Sequence, residues 1–278
     1  MNELIKKGLL NFYINMRKIT SSKRALPKFI ILGTQKGGTS SLYNNLCKHP
    51  QIKKALKKEV HFFDYNYEKG IDWYKSFFDY QNNLLQLNAI TGEASPLYLY
   101  LEEVPERIFK TLGSAIKLII LLRNPVDRTI SHFEFYRLRG LEKRTQDEFL
   151  KEFNYSVEKM VNYERSLNNI DSRRDFSYIT RSLYSEQIDA YKKYFQAENI
   201  KIILSERFFI DPTVVMEELN NFLNIRKFSY GLNPKIHYNK QKEISSKFRG
   251  LLINYFSSEI EKIENNHHLD LSTWRSLH

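Results

Sequence analysis

The stretch Phe29-Ile30-Ile31-Leu32-Gly33-Thr34-Gln35-Lys36-Gly37-Gly38-Thr39-Ser40-Ser41 runs from a short apolar segment through a glycine-rich loop into a helical pattern. Residues 29–32 read as a strand buried on both faces, because such strands carry continuous apolar side chains rather than alternating ones. Glycines allow the backbone to wrap closely around an anion, successive N–H groups can point inward, and the following helix start adds roughly half a positive charge. Lys36 adds a full charge. A Walker A loop sets its lysine after the last glycine, whereas Lys36 precedes Gly37 and Gly38. The order points to phosphate handling of another kind, with an ordinary tight strand-to-helix turn as the bland alternative.

Working outward, residues 89–93, 116–122 and 200–204 repeat the same short, apolar, Ile- and Leu-rich character. Helical patterns cover 39–49, 105–112, 126–139, 146–167, 181–195, 212–223 and 247–265. Strand and helix alternate, which predicts an α/β fold: a doubly wound, mainly parallel central sheet flanked by helices, with a P-loop-like nucleotide-binding core. Residues 23–27 read as a linker, dividing an N-terminal segment, 1–26, from one domain over 27–278. Residues 230–246 read as a long surface loop.

The whole chain has 278 residues, 42% hydrophobic and 27% charged, enough to close a core and unlike a disordered composition. Its formal net charge is +11, a field that attracts nucleotides, sulfate or phosphate esters and other polyanions. Cys47 is the only cysteine, which excludes an intrachain disulfide and a thiolate-rich zinc site and suits a reducing compartment. No apolar stretch nears the roughly 20 residues of a membrane helix, and no signal peptide is evident. The expected location is therefore the cytoplasm. Leu4, Ile5, Leu9, Leu10, Tyr13 and Ile14 recur at helical spacing beside Lys6, Lys7, Arg17 and Lys18. Such a helix either packs on its own domain or makes peripheral contact with the inner membrane face through residues 1–20.

A second motif, Lys57-Lys58-Glu59-Val60-His61-Phe62-Phe63-Asp64, is followed by Lys69-Gly70-Ile71-Asp72-Trp73-Tyr74. With the glycine loop, these residues resemble the carbohydrate sulfotransferases that use 3′-phosphoadenosine 5′-phosphosulfate (PAPS) and release 3′-phosphoadenosine 5′-phosphate (PAP). The likeness is greatest to the heparan sulfate N-sulfating and 3-O-sulfating domains, and it spans residues 27–211. The resemblance implies that Lys36, Gly37, Gly38, Thr39, Ser40 and Ser41 grip the 5′-phosphosulfate. It also implies that Arg123 and Ser131, in Leu118-Ile119-Ile120-Leu121-Leu122-Arg123-Asn124-Pro125-Val126-Asp127-Arg128-Thr129-Ile130-Ser131, hold the 3′-phosphate. Arg123 ends a predicted strand, where open α/β sheets bind ligands, and a guanidinium forks onto phosphate oxygens. The alternative for Arg123 is an ion pair with Asp127 or a neighbouring carboxylate. Arg128 reads either as a further cation of the site or as a solvated residue.

Sulfuryl transfer requires removal of the acceptor proton and a cation at the leaving phosphate. The resemblance makes Glu59 the general base, Lys36 the cation and His61 a supporting acid/base group. In an extended segment Glu59, His61 and Phe63 would share one side. The alternatives are a surface ion pair of Glu59 with Lys57 or Lys58, and a structural histidine at 61. Asp64 is expected to orient a basic residue or a sugar hydroxyl, Glu93 is an expected acceptor-side residue, and Tyr184 and Lys240 are expected nucleotide contacts, with a helix tyrosine packed in the core as the alternative for Tyr184. Ala94 stands where the heparan-type enzymes often carry lysine, which weakens the expectation of a heparan-like acceptor. A carbohydrate or glycolipid acceptor, no nucleic acid and no metal are expected. The rival readings are a P-loop-type kinase or NTPase, which chelation would silence, and a non-catalytic protein that binds polyanions or glycans.

Overall fold

The computed structural model describes residues 3–232 and 245–275, with side chains from residue 8 onward. Strands β1 (Phe29–Gly33), β2 (Ile52–Lys54), β3 (Ile90–Ala94), β4 (Lys117–Leu122) and β5 (Ile200–Leu204) form one sheet in the order β2-β3-β1-β4-β5. Every pairing is parallel. Helix α1 (Glu3–Lys18) precedes β1, α2 (Thr39–Leu46) follows it, and α3 (Gly70–Lys75) and α4 (Gln81–Gln86) lie between β2 and β3. After β3 comes α5 (Val104–Leu112); after β4 come α6 (Pro125–Leu138), α7 (Gln146–Glu152), α8 (Val157–Arg165), α9 (Ile170–Phe176) and α10 (Tyr184–Lys192). Beyond β5 lie α11 (Ser205–Ile210), α12 (Pro212–Phe222), α13 (Ser246–His267) and α14 (Ser272–Arg275).

The strands divide their side chains between two cores, as the two-residue period of a strand dictates. Ile30, Leu32, Leu118, Ile120 and Leu122 pack with Phe62, Phe63, Tyr74, Tyr98 and Tyr191 on one face. Phe29, Ile31, Ile119 and Leu121 pack with Leu42 and Leu46 of α2 and Val215 and Leu219 of α12 on the other. A third apolar cluster joins α6, α7 and α8 to α13 through Phe133, Phe149, Met160 and Phe248. The doubly wound parallel architecture is thus the observed one.

Several boundaries differ from the sequence expectation. Strand β2 was not predicted: it is three residues long and polar at two of them, and it forms the sheet edge beside β3. The expected helix 146–167 is two, because Asn154 and Tyr155 take left-handed φ values of 52° and 58° and Ser156 caps a fresh start at α8. Helix α9 fills a stretch to which no element was assigned from sequence, and residues 180–182 form a 3₁₀ turn ahead of α10. Residues 23–27 are packed, not loose. Arg24 donates to the Phe78 carbonyl at 2.9 Å and the Ala25 amide to the Asp79 carbonyl at 2.9 Å. Arg17 fastens α1 to the same segment through the Ser76 and Phe78 carbonyls at 2.5 and 2.6 Å, and Ile14 enters the first core. No described helix is long and apolar enough to cross a membrane.

Candidate active site

β1 lies centrally, with β3 on one side and β4 on the other, so its carboxyl end opens where the chain switches direction across the sheet. The glycine loop leaves from that end. The Thr34 amide and hydroxyl both donate to the Leu121 carbonyl, at 2.9 and 3.1 Å, and the Gly37 amide donates to the Thr34 carbonyl at 3.1 Å. Ser205 clamps the loop from α11 by donating to the Gly37 carbonyl at 2.7 Å. A Cβ on residue 37 would fall 2.6 Å from Thr34 Oγ1 and 2.8 Å from the Leu121 oxygen, and Gly38 has φ 98°. Neither position admits a side chain without displacement. Gly38 is also the N-cap of α2 and supplies no side-chain cap, so the first amides of that helix remain available to an anion. Thr39 is buried, Ser40 exposed and Ser41 half-buried at this helix start.

Cations gather around the loop. The Lys36 ammonium sits 4.2 Å from the centre of the Phe135 ring, and Arg139, just beyond α6, lies 3.9 Å from the same ring. Arg123 donates to the Lys36 carbonyl at 3.1 Å. Burial first, then the charges of Arg123, Arg139 and Arg128, push the Lys36 ammonium below its ordinary pKa. Among the described residues no carboxylate pairs with Lys36, Arg123 or Arg139. Asp127, the alternative partner for Arg123, pairs instead with Arg249 at 2.6 Å. Arg128 is fully buried rather than solvated, and its guanidinium donates to Ser182 and to the Tyr178 carbonyl. Burial, reinforced by Arg181, lowers its pKa to about 10. Unpaired cations around an uncapped helix start fit a bound phosphate group. Ser131 is half-buried about two turns into α6.

The Glu59 segment departs from the expected extended form. His61 takes φ 57°, so the chain turns there and Phe63 enters the core while Asp64 swings toward the imidazole. His61 Nε2 lies 2.9 Å from Glu59 Oε2 and Nδ1 lies 2.6 Å from Asp64 Oδ2; Lys58 Nζ reaches Glu59 Oε1 at 3.2 Å. Burial opposes a charge on His61, but the bonds to Asp64 and Glu59 outweigh it and raise the pKa to about 9. His61 is therefore an imidazolium at neutral pH, donating from both nitrogens. Burial also opposes the Glu59 carboxylate, yet the His61 bond and the Lys58 charge hold its pKa below the ordinary value.

Three of the expected contact residues are buried. The Asp64 side chain accepts from His61 and from the Tyr65 amide at 2.7 Å, the arrangement expected of a carboxylate that orients a basic residue. Glu93 is 1% exposed and enclosed by the hydroxyls of Tyr74, Ser95 and Tyr98, so its carboxyl is held by protein groups. Tyr184 is buried and donates to the Arg123 carbonyl at 2.9 Å; it braces the strand end from beneath. Lys240 lies outside the described residues.

One further side chain joins the two halves. Arg181 donates to Gln35 Oε1 of the glycine loop at 2.6 Å and to the Arg174 and Pro96 carbonyls at 3.0 and 3.2 Å. Burial lowers its pKa, and the Glu59 charge is among those opposing the drop. Sequence reading marked the segment around Arg181 but fixed on Tyr184. The available signal was a cation at a helix start, where a macrodipole disfavours it unless something else holds it.

The sulfotransferase domain model matches residues 26–266. The heparan sulfate glucosamine 3-O-sulfotransferase 5 of Mus musculus is 36% identical over 233 residues, covering 79% of this chain and 61% of that protein. The membrane-associated sulfotransferase kil1 of Dictyostelium discoideum is 30% identical, covering 86% of this chain and 65% of its own length. The chain thus spans 61% and 65% of these two relatives and about half of others, such as the mouse 3-O-sulfotransferase 3A1 at 48%. The crystal structure of a sulfotransferase from Alicyclobacillus acidocaldarius superposes with a TM-score of 0.64 at 28% identity, covering 90% of this chain and 99% of that one. The chain belongs to the sulfotransferase domain family, the PAPS-dependent group that its motifs resemble.

Proposed function

We propose that this chain transfers a sulfuryl group from PAPS to a hydroxyl or amine of a carbohydrate, with Glu59 as general base and Lys36 at the leaving phosphate. The observation that carries this reading is the glycine loop itself, whose uncapped α2 start is ringed by Lys36, Arg123 and Arg139 with no carboxylate partner for them among the described residues. PAPS supplies an activated sulfuryl group joined to a phosphate oxygen. The loop amides, Thr39, Ser40 and Ser41 hold the 5′ end, and Arg123 and Ser131 hold the 3′-phosphate. Glu59 takes the proton of the acceptor as its oxygen or nitrogen bonds to sulfur. Lys36 meets the charge left on the phosphate oxygen as the old S–O bond breaks, and PAP departs with that electron pair. His61, charged and locked by Asp64, keeps Glu59 aimed.

A glycosaminoglycan is the first acceptor class to try, given the relatives, and Ala94 argues for testing glycolipids and other glycans beside heparan sulfate. Radiolabelled PAPS offered with such a panel identifies the acceptor. With the acceptor found, Glu59→Gln is expected to keep PAP affinity and to lose roughly 10²-fold or more in turnover. A normal rate contradicts the base assignment. The reading extends to a cytoplasmic setting, supported by the single cysteine, and to peripheral membrane contact through residues 1–20. Helix α1 leaves Leu9, Phe12, Tyr13 and Met16 exposed along one stripe while Ile14 is buried.

A further inference from the structure

Behind the Glu59 turn lies a carboxyl group that the proposed chemistry does not use. Glu93, near the end of β3, accepts from Tyr74 Oη at 2.7 Å and Tyr98 Oη at 3.2 Å on one oxygen, and from Ser95 Oγ at 2.8 Å on the other. Two of these hydroxyls also face the turn. Ser95 Oγ accepts the His61 amide at 3.2 Å, and Tyr98 Oη accepts the Phe62 and Phe63 amides at 2.7 and 3.3 Å. Three successive amides of the turn therefore end on two hydroxyls whose own protons are committed to Glu93.

A hydroxyl has one proton and two lone pairs, so whatever takes its proton decides which side it serves as acceptor. A carboxylate only accepts. Glu93 thus fixes both hydroxyls as acceptors toward residues 61–63, the residues that hold the left-handed His61 backbone in place. An amide at position 93 presents N–H groups to this ring, forces a hydroxyl to reverse, and sets that proton against a turn amide.

We propose that Glu93 is a positioning residue which, acting through Ser95 and Tyr98, sets the backbone of His61 to Phe63 and with it the Glu59–His61–Asp64 arrangement. The inference rests on the reading that this turn carries the base. Burying a carboxylate is costly, and burial raises the Glu93 pKa to about 7 despite the hydroxyls of Tyr74 and Ser95 and the charge of His61, with Asp64 adding to the rise. Capping three amides alone does not require a charge; holding two hydroxyls in one orientation does.

The test is the titration of His61 in the full chain, followed by NMR with labelled histidine and assigned with His61→Gln. The wild-type midpoint is expected near 9. Ser95→Ala and Tyr98→Phe, which keep the Glu93 carboxyl, and Glu93→Gln are each expected to lower it by about one pH unit or more, a tenfold or larger change in proton affinity. PAP affinity by calorimetry reports whether each variant is folded, and Ser95→Ala, the mildest change, carries the test if Tyr98→Phe does not fold. An unchanged midpoint in Ser95→Ala and Tyr98→Phe overturns the proposal, including the case in which only Glu93→Gln moves it, since a lost charge then acts by field alone. A full rate in Glu59→Gln removes the base reading and leaves this titration result untouched.

Discussion

Lys36 is set apart because its ammonium is held on the Phe135 ring among arginines, with no carboxylate among the described residues to neutralise it. Residues beside it show the same tension between burial and charge. His61 gives it a measurable form. Its pKa is raised to about 9, so the stabilisation from Glu59 and Asp64 is complete below the ordinary 6.5 and is lost as pH rises through about 9. The stability gap between wild type and His61→Gln should therefore narrow by about 3 kcal/mol between pH 6 and pH 10, read from urea unfolding at each pH. Gly37→Ala is expected to lower stability by about 1–3 kcal/mol, because the new methyl meets Thr34 Oγ1 and the Leu121 carbonyl; an unchanged urea midpoint contradicts the tight loop. The glycines and Lys36 were legible in sequence because a strand, glycine loop and helix start are local features. The burial of Glu93 was not, and that of Tyr184 stood only as an alternative, since whether a polar side chain faces the surface or the core is decided by distant partners such as Tyr74 and Arg123. His61 hid its left-handed backbone for the same reason.

At the scale of elements, the four longer strands were readable because buried parallel strands carry apolar runs, unbroken from Leu118 to Leu122 and interrupted only by Lys201 within β5. Strand β2 and helix α9 lack that signature: one is a short polar edge, and the other shows no buried residue along its length. The split between α7 and α8 turns on Asn154 and Tyr155, whose left-handed backbone only the asparagine hints at. Helix α1 carries two apolar stripes, one docked through Ile14 and one left in solvent at Leu9, Phe12, Tyr13 and Met16. The second stripe leads us to expect that the protein co-sediments with anionic phospholipid vesicles and that Phe12→Glu reduces the bound fraction severalfold, with PAP affinity unchanged. Equal sedimentation of both proteins would remove α1 from membrane contact.

Across the whole molecule, the sheet order brings three separate stretches of chain to the carboxyl ends of β1, β3 and β4: the glycine loop, the Glu59 turn braced on Ser95, and Arg123. The net charge of +11 surrounds this convergence with a field that favours anions. The family and fold class could be read from the sequence because each is encoded in contiguous residues. The joint made by Arg181 and Gln35 could not, since 146 positions separate its partners. The central claim is that the loop between β1 and α2, with Lys36, clasps the nucleotide. Calorimetric titration of PAP into the wild type and Lys36→Ala tests it most directly. Saturable binding with one site, weakened about tenfold or more by the substitution, is the predicted result. No saturable binding, or equal affinity in the two proteins, contradicts it.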